Sequence, residues 1–187
     1  MSSFADTWYA HFGDTRPEGH VLREVYADRW LRIHSLPEGQ RYPESLEDRS
    51  VLLNRHNAVV AALVGEVPAW LVALSWEQTE ALPLGHPLFP WIGLTPPAVR
   101  LGPEEDDEEL PGLTVFAALV QWHASDFEAA LLEVAEDRLR FLLMSAATGA
   151  VWAPYDGGAD LIFPSEWERD IAALQFGAWK SSRPDGL

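Results

Sequence analysis

Between Leu139 and Phe163 three short apolar runs follow one another: Leu139 to Ala146, Val151 to Ala153 and Asp160 to Phe163. Only Thr148-Gly149 and Asp156-Gly157-Gly158 mark the turns between them. Links this short join antiparallel neighbours, because a parallel return needs a crossover of about a dozen residues or more. Glycine fits such turns because it adopts positive φ without a steric cost. The carboxy-terminal part therefore predicts a three-stranded meander, and an antiparallel or mixed sheet rather than a doubly wound one.

The rest of the pattern supplies helices to cover that sheet. Ser3 to Phe12 carries Phe4, Trp8, His11 and Phe12 on one stripe and stops at Gly13. Trp30 to Ser35 alternates as a strand, with Trp30, Arg32 and His34 on one side and Leu31 and Ile33 on the other. Ser45 with Asp48 opens a helix that Gly65 stops, with Leu52, Val59, Val60 and Leu63 as its apolar stripe. Val67 to Ser75 and Thr114 to Trp122 read as strands. Ser125 with Glu128 and Ser165 with Glu168 read as capping boxes of two further helices. In the last of these, Trp167, Ile171, Leu174 and Ala178 hold helical spacing and form the expected core face. Residues 83–112 break the pattern with seven of the fourteen prolines and the run Glu104-Glu-Asp-Asp-Glu-Glu109. Leu88, Phe89, Trp91 and Ile92 should pack, while the acidic run reads as a solvated tip. The expectation is one α+β domain over residues 1–187 with an irregular Pro-rich, acidic insertion at about 83–112.

Charge narrows the partners. The chain has 13 Lys and Arg against 29 Asp and Glu, a net charge of −16. That balance opposes non-specific binding to a phosphate backbone or to an anionic membrane, and suits a basic protein partner. No apolar run approaches the roughly 20 residues that span a bilayer. The amino terminus has no basic-then-apolar leader, so a cytoplasmic location is expected. Cysteine is absent, which excludes disulfides, thiol nucleophiles and zinc-thiolate sites. The nine Trp serve either as large core pieces or as contact residues, burial being the commoner use.

Against this acidic background, residues 29–57 form a cationic island: Arg29, Arg32, His34, Arg41, Arg49, Arg55 and His56. His56 falls in the apolar stripe of its helix, with Arg49 two turns earlier on the same face. A buried polar group there needs a partner, and Asp156 and Asp160 are the candidates. Two readings follow. The island is an Arg/His pocket for a small carboxylate or phosphate, or it is a structural ion-pair network tying this helix to the carboxy-terminal hairpin. Buried charges pair whether or not they do chemistry, which favours the network. Asp156 and Asp160 could hold a cation between them, but Asp before Gly-Gly is also ordinary turn chemistry. His11, His20, His34, His56, His86 and His123 show no metal-ligand spacing, and no metal or other cofactor is expected. Ser35 beside His34 does not make a nucleophile pair, since neighbours on a strand point to opposite sides. No G-x-S-x-G elbow, P-loop or G-x-G-x-x-G fingerprint occurs.

Arg32-Ile-His-Ser-Leu-Pro37, Arg41-Tyr-Pro43, Leu53-Asn-Arg-His-Asn57, Ala153-Pro-Tyr-Asp-Gly-Gly-Ala-Asp160 and the ending Trp179 to Leu187 resemble an uncharacterised bacterial domain family. The resemblance covers about two thirds of the chain and is weakest across 83–112. It implies a bacterial cytoplasmic domain and transfers no catalytic role. The functional expectation is a protein-binding or regulatory module, comparable in size and charge to small immunity proteins. The alternative is an enzyme or sensor for a small anionic ligand at Arg32, His34, Arg41, Arg49, His56, Asp156 and Asp160.

Overall fold

The computed structural model describes residues 2–76, 79–93, 95–102 and 112–180. In chain order the helices and strands are α1 (Phe4–Phe12), α2 (Gly19–Val25), β1 (Trp30–His34), α3 (Leu46–Leu63), β2 (Ala69–Ser75), α4 (Phe89–Ile92), β3 (Val99–Leu101), β4 (Leu113–Val120), α5 (Glu128–Ala135), β5 (Phe141–Ser145), β6 (Val151–Tyr155), β7 (Gly158–Ile162) and α6 (Glu166–Gln175). The strands make one open sheet in the order β1-β7-β6-β5-β2-β4-β3, antiparallel at every pairing. The fold is α+β, and β5-β6-β7 is the meander that the short links require.

Both faces of the sheet are covered, which is why its central strands read as unbroken apolar runs. On one face Val59 and Val60 of α3, Leu131 and Val134 of α5 and Ala172 of α6 meet Ile33, Leu71, Leu143, Trp152 and Leu161. On the other, Phe4, Trp8 and Phe12 of α1 and Leu22 of α2 meet Val72, Leu142, Met144, Val151 and Ile162. Ser45 and Asp48 form their reciprocal capping box at the start of α3. Gly149 takes φ +75° in the β5–β6 turn, and the His11 ring packs where its side chain would be.

Several expectations change. Ser125 caps nothing: Ala124–Asp126 form one 3-10 turn, and α5 follows Phe127 without a side-chain cap. Phe127 is fully buried, stacked 4.5 Å from Trp91 and 4.3 Å from Trp122, so packing of that ring sets the start of the helix. The stretch 83–112 is not wholly irregular, since it contains α4 and β3, with Leu88 and Ile92 buried. The acidic run 104–109 lies outside the described residues. The largest change is in α6, which turns Trp167, Ile171 and Leu174 to solvent and packs through Ala172, followed by Phe176. The helix carries two apolar stripes, and the one with small residues gives the closer approach to the sheet.

Candidate functional site

The motif residues meet where β1, β7 and β6 lie side by side. Register places Arg32 opposite Asp160 and Asp160 opposite Ala153, so strand pairing alone brings the two charges together on one face. Asp160 is 4% exposed. Its Oδ1 accepts from Trp30 Nε1 at 2.9 Å and from Arg32 Nε at 3.2 Å, and its Oδ2 accepts from Arg23 Nη1 at 3.5 Å. Arg32 stacks between two rings, 5.5 Å from that of Trp30 and 5.1 Å from that of Tyr155. Burial pushes the Tyr155 hydroxyl up to about 12, so it stays protonated at any physiological pH.

The β6–β7 turn adds the second carboxylate. Asp156 accepts from Arg41 Nε and, at 3.3 Å, from the Tyr42 hydroxyl. Asp156 is buried while Arg41 is largely exposed, and the bond to Asp156 raises the Arg41 guanidinium above its ordinary range. Neither Gly157 nor Gly158 uses positive φ, so conformational freedom is not why this turn needs glycine. Gly158 is required by proximity: a Cβ there would run into the Ile33 carbonyl oxygen on the neighbouring strand. At Gly157 a Cβ would lie 3.3 Å from the Tyr155 ring and 3.8 Å from Arg41 Cγ, a tight fit that needs the ring to give slightly.

These groups line a cleft of about 260 Å³ between α2 and the sheet, with Arg23, Arg32, Arg41, Tyr155, Asp156 and Asp160 among its walls. Gly19 of α2 closes one side, with a Cβ position only 3.0 Å from that of Ala153. Arg140, which bonds Asp137 at 3.5 Å, and the apolar Leu74, Trp76 and Leu142 form the far end. Each hairpin carboxylate is engaged by guanidinium: Asp156 by Arg41, and Asp160 by Arg32 and Arg23. Among the described residues no group of three or more His, Asp or Glu could hold a metal ion.

The island divides. Arg32 and Arg41 reach the cleft; His34, Arg49 and His56 do not. His34 packs by the Pro37–Gly39 turn, and its carbonyl accepts from Arg55 at 3.0 Å. Desolvation, then the charges of Arg32 and Arg55, hold its imidazole below the ordinary range. Arg49 is exposed on α3. The buried His56 finds its partner in Ser35, Nε2 to Oγ at 2.8 Å, instead of in Asp156 or Asp160. Burial pushes His56 down to about 4, and its Nδ1 meets no acceptor among the described residues. With Ser35 and His56 both sealed from solvent, this pair bonds α3 to the end of β1 and lacks the access and basicity of a nucleophile–base pair. Arg23, Tyr155, Asp137 and Arg140 are among the cleft residues that sequence reasoning misses. Tyr155 was inside a recognised motif, whereas Arg23 lies on a seven-residue helix too short to show periodicity.

A second surface stands apart from the cleft. On α6, Trp167 is 71% exposed, Leu174 85% and Ile171 44%. Ile171 also borders a groove of about 280 Å³ with Leu63, Phe163 and Phe176.

A family profile described as Domain of unknown function (DUF3885) matches residues 19–184. The chain belongs to this family. The matched span includes Arg23, Arg32, the hairpin carboxylates and α6, and leaves α1 outside it. No curated protein and no solved structure matches the chain. No described helix is long and apolar enough to cross a membrane.

Proposed function

We propose that this protein is a protein-binding, regulatory module of the immunity-like kind, and that α6 with its flanking groove is the face that meets a basic protein partner. The outward stripe Trp167, Ile171 and Leu174 carries the reading. Contiguous exposed apolar surface of this kind marks contact sites, and Trp is the residue most enriched among contact residues that dominate affinity. Glu166, Glu168 and Asp170 border the stripe, and of these Asp170 is paired with Arg169 at 2.7 Å, so its rim is acidic on balance and complements a basic patch around an apolar pocket. The −16 net charge adds long-range attraction and a fast, salt-sensitive encounter.

The test is affinity capture from the native cell at low salt with wild type and with Trp167→Glu, followed by reconstitution with the purified partner. The expected result is one identified basic protein that re-forms a stoichiometric complex, is weakened by salt and is released by Trp167→Glu. An identified partner that is not basic, or that binds Trp167→Glu as well as wild type, would overturn the reading. A dimer of this chain that Trp167→Glu dissolves would assign the face to a second copy instead.

A further inference from the structure

Across the cleft floor the chemistry changes from charged to apolar in one direction. Arg32 and Asp160 are paired on β1 and β7, Ala153 follows on β6, and Leu142 and Leu74 complete the floor on β5 and β2. At the charged end two guanidiniums share one carboxylate through long bonds, 3.2 Å from Arg32 and 3.5 Å from Arg23. Asp160 takes only the Nε of Arg32, and no described residue accepts from that guanidinium's two terminal amino groups. The other arginines around the cleft are matched: Arg16 by Glu18, Arg41 by Asp156 and Arg140 by Asp137. Among the described residues, Arg23 and Arg32 are thus left to share the single carboxylate of Asp160 at the floor of the cleft.

We propose that this cleft binds a small organic monocarboxylate, its head group held by Arg23 and Arg32 and its apolar part lying over Ala153, Leu142 and Leu74. A carboxylate accepts two parallel N–H bonds from a guanidinium fork. A single negative charge balances two guanidiniums that share one carboxylate, which disfavours a phosphate dianion. An apolar wall with a few convergent polar groups is the usual make-up of a small-molecule site. This site is separate from α6 and does not depend on the protein-binding role.

Calorimetric titration of the folded protein with hexanoate, hexanol and inorganic phosphate tests it. Hexanoate should bind with a Kd of about 1 mM or tighter, and hexanol and phosphate at least tenfold more weakly. Arg23→Gln should weaken hexanoate at least tenfold while keeping the wild-type melting midpoint, since Arg23 is partly exposed and holds Asp160 only at 3.5 Å. Trp167→Glu should bind hexanoate as wild type does, which separates failure here from failure of the α6 reading. No hexanoate binding by the folded wild type, phosphate binding as tight as hexanoate, or undiminished binding by Arg23→Gln would each overturn the proposal.

Discussion

At the scale of single residues, the two hairpin aspartates have similar sequence settings and different structural weight. Asp160 is buried and accepts from Trp30, Arg32 and Arg23. Its removal strands three donors, though the cleft lets water reach the arginines, so Asp160→Ala should cost about 1–3 kcal/mol rather than the larger loss of a sealed ion pair. Asp156 holds an exposed Arg41, and Asp156→Ala should cost less than about 1 kcal/mol. Urea unfolding of the two variants checks the order, and equal losses would contradict it. His56 supplies a pH signature. Its folded pKa is pushed down to about 4, below the ordinary 6.5, so between those values the unfolded chain holds the extra proton. Its contribution is thus intact above about pH 6.5 and is lost as pH falls toward 4. Between pH 7 and pH 5 wild type should lose about 2 kcal/mol more stability than His56→Asn. His34 and His86, also lowered by burial, act alike in both proteins and cancel. Parallel losses in the two proteins would contradict the assignment.

At the scale of elements, legibility followed length and redundancy of signal. The meander was readable because turn residues and apolar runs agree, and the eighteen-residue α3 because its cap, stripe and stop agree. Seven-residue α2, four-residue α4 and three-residue β3 are too short to establish a period, and β3 is recognisable only from its pairing with β4. Strand alternation puts Arg32 on a polar face, but its pairing with Asp160 comes from the β1–β7 register, which no local pattern shows; the hairpin carboxylates read instead as partners for α3. His56 was correctly placed on the apolar side of α3, but its partner Ser35 was not foreseen. Alternation puts Ser35 on the buried side with Leu31 and Ile33, but no local pattern says which residue of α3 it meets there. In α6, periodicity identified an amphipathic helix and chose the wrong face, because a hydrophobic pattern does not say whether the sheet or a partner covers it. Small Ala172 packs inward, while bulky Trp167 and Leu174 point out.

At the scale of the whole molecule, the seven-stranded sheet is already covered on both faces, so the core has no need of the outer stripe of α6. The stripe Trp167, Ile171 and Leu174 is exposed and lies outside the stabilising core. Urea unfolding of the isolated Trp167→Glu/Leu174→Glu double variant tests it most directly. Exposed positions of this kind change stability by about 0.5 kcal/mol or less each, so the transition should lie within about 1 kcal/mol of wild type, with an unchanged dependence on urea. A loss of about 3 kcal/mol or more, the scale of burying charge in a core, would show instead that the stripe is packed within the fold.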